Sequence, residues 1–335
     1  MRPLTEIVKK KRTDIKPIWI MRQAGRYLPE FRKVRRKNKD FIKLCLNEKL
    51  IPQITMQPLK RYDFDAAIIF SDILMLPYGL GQPVSFKKNF GPFLGDIDNN
   101  NLDKISEKEF TIKLGPVYRS MSTLSKKLKD KDKNLIGFVG APWTLLVYII
   151  NKKSPKKSFG KSIFNTPNQD ELLQIIVKYL KIHIKNQVRC GANVIQIFDS
   201  WAGLLPSKYL AKYIYNPTAE LVEFTKSLNV PCICFPRQIN DYKSFVKEVS
   251  PDVISIDYEV SRRKILKDIK IPVQGGLDPK LLLRSNKILK IEVNKILSAF
   301  RDHPYIFNLG HGILPKTKPD TVKYLVELVK DFNAQ

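Results

Sequence analysis

Short apolar runs bounded by turn residues recur along the chain, and between them apolar residues return at spacings of three and four. The runs predict eight strands, over 18–21, 66–70, 135–139, 194–198, 232–235, 253–256, 271–274 and 305–309. The spacings predict helices over 48–61, 117–129, 171–189, 217–228, 242–249, 262–269, 288–300 and 320–332, with a shorter one over 30–36 opened by Pro29. In the clearest, Leu173, Ile176, Val177, Leu180, Ile184 and Val188 share one face, and Gly191 suits the left-handed residue that ends a helix. Alternating strands and helices imply parallel βαβ units, and eight strands imply a closed (β/α)8 barrel, an α/β fold in a single domain over 1–335. A doubly wound open sheet is the alternative, weakened because no GxGxxG follows the first strand.

Two stretches interrupt the alternation. Residues 79–115 carry Gly, Pro and Asn turns around Val84–Lys87 and predict an inserted hairpin and loop; residues 151–168 form a polar excursion after the third strand. Lys152, Lys153, Lys156 and Lys157 in that excursion either form an anion-attracting wall or are simply solvated.

A formal net charge of +27 invites a nucleic-acid or membrane partner. The lysines are spread along the whole chain, however, without any helix-turn-helix, zinc-finger or aromatic RNA-binding signature, so the charge steers anions and no nucleic-acid partner is expected. Cys45, Cys190, Cys232 and Cys234 include no CxxC pair, which gives no zinc spacing and fits a reducing compartment. The first twelve residues lack an apolar signal core and no apolar run is long enough for a membrane span; the expectation is a cytoplasmic protein without a membrane partner.

Active sites of such barrels lie at the carboxyl ends of the strands. Arg22, Gln23 and Arg26 follow the first strand, Ser71 and Asp72 the second, Tyr148 stands beyond the third, and Asp199 and Ser200 follow the fourth. Arg237, Asp257, Gly275 with Gly276, and His311 between Gly310 and Gly312 follow the remaining four. Arg22, Arg26 and Arg35 can converge on one mouth, and their planar donor forks suit a polyanionic ligand; Arg32, Lys33 and Arg36 read as a solvated helix face. Asp72 reads as a site carboxylate beside two arginines, whereas Asp199 and Asp257 serve equally well as partners of nearby arginines or amides. His183 and His303 read as structural, and His311 as exposed at a strand end. Metal-dependent hydrolysis would want more histidines at this rim, and Ser71 and Ser200 lack an obvious base. A polycarboxylate gripped by arginines around one central carboxylate fits best.

The stretch Met21-Arg-Gln-Ala-Gly-Arg-Tyr-Leu-Pro-Glu-Phe31 closely resembles the N-terminal signature of the uroporphyrinogen decarboxylase family, with weaker similarity at Ile69–Leu74, Gly140–Leu145, Gln274–Pro279 and Asn308–Ile313. The resemblance implies a distorted (β/α)8 barrel assembled as a homodimer, with no metal or organic cofactor. It implies removal of four acetate carboxyl groups from an anionic tetrapyrrole substrate. Asp72 and Arg22 would be the catalytic residues. Arg22, Gln23, Ala24, Gly25, Arg26, Arg35, Asp72, Tyr148, Ser200 and His311 would bind substrate. The chain departs from the family pattern at 235–239, where a glycine-rich turn is common, at Tyr258 in place of tryptophan, and at Gly276 in place of asparagine. Zinc-dependent barrel methyltransferases are the nearest rival reading, with Cys232 and Cys234 as candidate thiolates but no His-x-Cys motif beside them.

Overall fold

Nine strands form in the computed structural model, which describes residues 2–87, 90–97, 105–155 and 168–334. They are β1 (Ala66–Ile68), the hairpin β2 (Val84–Lys87) and β3 (Gly91–Leu94), β4 (Asn134–Gly140), β5 (Val194–Asp199), β6 (Cys232–Pro236), β7 (Val253–Ile256), β8 (Val273–Gly275) and β9 (Tyr305–Ile306). Seven of them build one curled sheet in the order β1-β4-β5-β6-β7-β8-β9, and all its pairs are parallel. Helices connect successive strands and cover the outside, including the predicted long helix, observed as Gln169–Arg189, with Gly191 behind it at φ +108°.

The expected strand over 18–21 is reduced to a single bridge, Ile18 with Phe307. It still closes the sheet: Phe307 N–H donates to the Pro17 carbonyl at 2.7 Å, Trp19 N–H to the Phe307 carbonyl at 3.3 Å, and Asp65 N–H to the Ile18 carbonyl at 2.8 Å. Side chains take the ladder positions that backbone would otherwise fill. Ile18 N–H goes to Asp65 Oδ2, Ile20 N–H to Gln23 Oε1 and Met21 N–H to Asn308 Oδ1, so this stretch is pinned on both sides without being a regular strand.

Alternation along the strands separates two cores. Ile136, Val194, Ile233, Val253 and Ile306 point inward with Trp19, whereas Leu135, Ile195, Cys232, Cys234 and Ile254 face the helices. A buried polar layer crosses the barrel interior. Trp19 Nε1–H donates to Gln274 Oε1 at 2.9 Å, and Gln274 Nε2 donates to Gln196 Oε1 at 3.0 Å and Ser255 Oγ at 3.2 Å. The hairpin, expected within 79–115, is tied to the chain beyond the helix Pro142–Asn151 by Leu94 N–H to the Lys152 carbonyl and by a Lys152–Asp96 ion pair. Lys156 and Lys157 lie outside the described residues.

The helix Pro3–Lys10, which the sequence pattern did not indicate, plugs the amino end of the barrel. Leu4 and Ile7 are fully buried in the interior core, and Leu4 N–H donates to Asn134 Oδ1 at the start of β4. Leu4→Ala is expected to cost about 2–4 kcal/mol of stability, read as a lowered urea midpoint; an unchanged midpoint would remove this helix from the core.

Candidate active site

The rim at the carboxyl ends of the strands begins with Arg22, which adopts φ +63°, a left-handed conformation unusual for a residue with a side chain. It is held there because its neighbours are fixed: Ile313 N–H donates to the Met21 carbonyl, and Gln23 N–H to the Ile20 carbonyl. A Cβ on Gly312 would lie 2.5 Å from Arg22 Cδ, and one on Gly25 would lie 2.7 Å from the Arg22 carbonyl. These two glycines therefore make room for the arginine. Gln23 is turned the other way, fully buried, with Nε2 donating to the Ala66 carbonyl at 3.0 Å; its amide holds the loop onto β1.

Arg26 is exposed, and Arg35 lies half-buried on the helix Pro29–Lys37, its guanidinium 5.6 Å over the Phe41 ring and donating to the Asn38 carbonyl. Arg32 is exposed, as expected of a solvated helix face, and it also donates to the carbonyls of Arg26 and Tyr27 at 3.0 and 2.9 Å, bracing the loop. Arg22 is accessible from solvent yet crowded by protein, and desolvation lowers its pKa, an effect that Asp72 opposes and Arg26 reinforces.

Asp72 stands just past β1. One oxygen accepts Leu74 N–H at 2.9 Å; among the described residues the carboxylate has no ion-pair partner within 4.0 Å. Burial pushes its pKa up to about 6, with the Leu74 amide and the Arg22 charge pulling the other way. Tyr148, on the helix Pro142–Asn151, is buried, packs 5.9 Å from Trp201 and is influenced by both Asp72 and Arg22. That helix is not among those the spacing predicts, because it is apolar on nearly all sides and shows no amphipathic period. Ser200 is half-exposed in the turn after β5, and Asp199 beside it serves the fold. Its Oδ1 accepts Thr144 Oγ1–H at 2.6 Å, and Thr144 Oγ1 accepts Trp201 N–H, which ties the helix of Tyr148 to the turn of Ser200. Asp257 is likewise structural, accepting from Gln238 N–H, Tyr242 O–H and Glu259 N–H.

His311 completes the rim. Its Nδ1 accepts Gly312 N–H at 2.7 Å, and desolvation together with the Arg237 and Arg22 charges lowers its pKa to about 4. The ring is therefore neutral at ordinary pH with its proton on Nε2, a donor suited to a carboxylate. Gly310 is needed because a Cβ there would fall 2.3 Å from Tyr258 N. Gly276 has φ +99°, a region open to glycine and, at a cost, to asparagine. The other two histidines are structural, as expected: His183 Nδ1 pairs with Tyr118 O–H at 2.9 Å, and His303 Nε2 lies 3.0 Å from the Ile271 carbonyl.

A family model described as Uroporphyrinogen decarboxylase (URO-D) matches residues 1–332. The chain belongs to the uroporphyrinogen decarboxylase family. It is 42% identical over 330 residues to a uroporphyrinogen decarboxylase of Rickettsia bellii, covering 96% of this chain and 97% of that protein. It is 40% identical over 328 residues to the one of Rickettsia felis, covering 96% and 94%. In fold it resembles a methyltransferase from Methanosarcina mazei, with a TM-score of 0.79 at 17% identity over 98% of this chain and 97% of that one. A B12-independent methionine synthase from Shewanella sp. W3-18-1 gives a TM-score of 0.51 at 11% identity, covering 95% of each chain.

An aromatic row lies among the strands that carry the rim. Phe138, Phe198 and Phe235 meet at the inner ends of β4, β5 and β6, with ring centroids 5.7 and 6.5 Å apart. They were legible only as core, since strands buried on both faces show no polar alternation. Cys232 and Cys234 face the helical shell, and among the described residues no three His, Cys, Asp or Glu side chains gather as a metal site.

Because burial raises the Asp72 pKa, the ionised carboxylate destabilises the folded protein above about pH 6, and this penalty fades as pH falls through the ordinary carboxylate range near 4. Asp72→Asn should therefore raise stability by about 1 kcal/mol at pH 8, allowing for partial solvent access, with no gain below pH 4. Paired urea titrations at the two pH values check this.

Proposed function

We propose that this cleft binds uroporphyrinogen III and removes its four acetate carboxyl groups, yielding coproporphyrinogen for haem and related tetrapyrrole synthesis. One observation carries the reading: a desolvated carboxylate, Asp72, and Arg22 act on each other's charge, Arg26 acts on Arg22, and none of Arg22, Arg26 and Arg35 has a carboxylate partner among the described residues. Arginines left without carboxylates of their own are suited to carboxylates of a ligand, each charge-assisted bond contributing about 1.5–3 kcal/mol.

A pyrrole can serve as its own electron sink. Protonation of a ring carbon next to the acetate-bearing position makes the ring cationic; the C–C bond to the carboxylate then breaks, CO2 leaves, the released electron pair neutralises the ring as an exocyclic methylene, and a proton added to that methylene with loss of the ring proton gives the methyl-bearing pyrrole. Asp72, facing the pyrrole N–H groups, offsets that transient positive charge, and the desolvated cleft strengthens the interaction. Arg22, Arg26 and Arg35 anchor side-chain carboxylates, while Tyr148, Ser200 and His311 Nε2–H add neutral donors. A guanidinium is a poor acid near neutral pH, so Arg22 acts by anchoring and charge, and proton delivery through it would need a relay. Ala24 and Gly25 shape the loop that presents Arg22 and Arg26. The family resemblance supports a cytoplasmic homodimer that needs no metal or organic cofactor.

An anaerobic assay of metal-stripped protein with uroporphyrinogen III, followed by mass spectrometry, should show stepwise loss of four carboxyl groups. Asp72→Asn should slow it by about 10²–10³-fold. Absence of turnover by the wild-type protein would sink the proposal.

A further inference from the structure

Among the rim residues, Arg237 has an unusually well-fixed backbone and no described work for its side chain. Its N–H donates to the Asp199 carbonyl at 3.0 Å, and its carbonyl accepts Gly203 N–H at 3.0 Å. The next residue, Gln238, adopts φ +58° and donates its N–H to Asp257 Oδ2 at 2.9 Å. A Cβ on Gly203 would lie 2.3 Å from the Gln238 carbonyl oxygen, so the exit loop of β5, which bears Ser200, is interlocked with the exit turn of β6. A left-handed conformation is strained for a non-glycine residue, and here these three hydrogen bonds hold the turn in place around it.

The Arg237 side chain is half-buried, and no carboxylate within 4.0 Å pairs with it among the described residues. The nearest acidic candidates are engaged elsewhere: Asp257 accepts from three donors, and Glu259 accepts from Gln238 Nε2. Its charge is nevertheless felt across the cleft, since Arg237 is the foremost charge acting on His311, ahead of Arg22, and it also acts on Arg22.

We infer that Arg237 is a further substrate-binding residue, its guanidinium taking a carboxylate of the macrocycle on the wall between Ser200 and His311. The inference rests on the tetrapyrrole reading above. Each of the four rings of that substrate carries an acetate and a propionate, more carboxylates than Arg22, Arg26 and Arg35 can hold. Arg22, Arg26 and Arg35 all come from the first loop and the helix behind it; Arg237 comes from a different strand end and supplies a cation where His311 and Ser200 offer only neutral donors.

The test uses uroporphyrin, the oxidised macrocycle that undergoes no decarboxylation, with binding read by quenching of tryptophan fluorescence, alongside turnover of uroporphyrinogen III. Arg237→Gln should weaken uroporphyrin binding roughly tenfold or more and raise KM by a similar factor, with Arg237→Lys recovering part of the loss. An unchanged thermal midpoint in both variants excludes misfolding as the cause. Binding by Arg237→Gln within twofold of wild type would overturn the assignment. Arg237-dependent binding by a wild-type protein that releases no CO2 would uphold it while the decarboxylase reading fails.

Discussion

Everything at the rim depends on keeping opposite charges in one cleft without letting them pair. Asp72 and Arg22 influence each other's ionisation, yet Asp72 spends one oxygen on the Leu74 amide and has no ion-pair partner among the described residues. Had they formed a contact ion pair, the carboxylate pKa would fall and the arginine would be occupied, and neither group would be available to a ligand. The cost is carried by the fold. Arg22 is held in a left-handed conformation, Gly25 and Gly312 surrender their side chains to make space for it, and Asn308 and Gln23 are spent on the segment that carries it.

The barrel serves this separation by giving each charged group a different strand end. Arg22 comes from the closing segment, Asp72 from β1, Ser200 from β5, Arg237 from β6 and His311 from beyond β9, with Tyr148 supplied by the helix after β4. Beneath them the three phenylalanines present an apolar floor that suits the faces of pyrrole rings, and deeper still the Trp19–Gln274–Gln196 layer fills the interior. Burial at this rim is why Asp72 and His311 both titrate far from their ordinary ranges: desolvation raises Asp72 against the pull of Arg22, and it lowers His311 with the help of the Arg237 and Arg22 charges.

Much of this was legible in the sequence, because strand–helix alternation and residues at the ends of apolar runs are local signals. The strand before Ser200 ends within one residue of its expected end, whereas those before Asp72 and His311, expected over 66–70 and 305–309, are shorter, at Ala66–Ile68 and Tyr305–Ile306. What escaped it is non-local. The segment 18–21 reads as a strand, but Asp65, Gln23 and Asn308 replace its ladder partners, and no periodicity reveals that. Gln23 looked like a ligand group and is buried inside the loop; Arg32 is solvated as its pattern implies, but its bonds to the Arg26 and Tyr27 carbonyls have no sequence signal. Arg237 is legible as a residue just past the fifth strand and 235–239 as a departure from a glycine-rich pattern, but the fixing of that arginine's backbone shows only in the interlocking of Gly203 with Gln238.

The central claim is that Asp72 is an unpaired, desolvated carboxylate, and direct titration of that one group tests it best. Infrared difference spectra of wild type against Asp72→Asn, recorded from pH 3 to 9, isolate its carboxyl band. A midpoint near 6 is the predicted result. A midpoint at or below the ordinary carboxylate value near 4 would show that an arginine or solvent already neutralises Asp72, and would contradict the account.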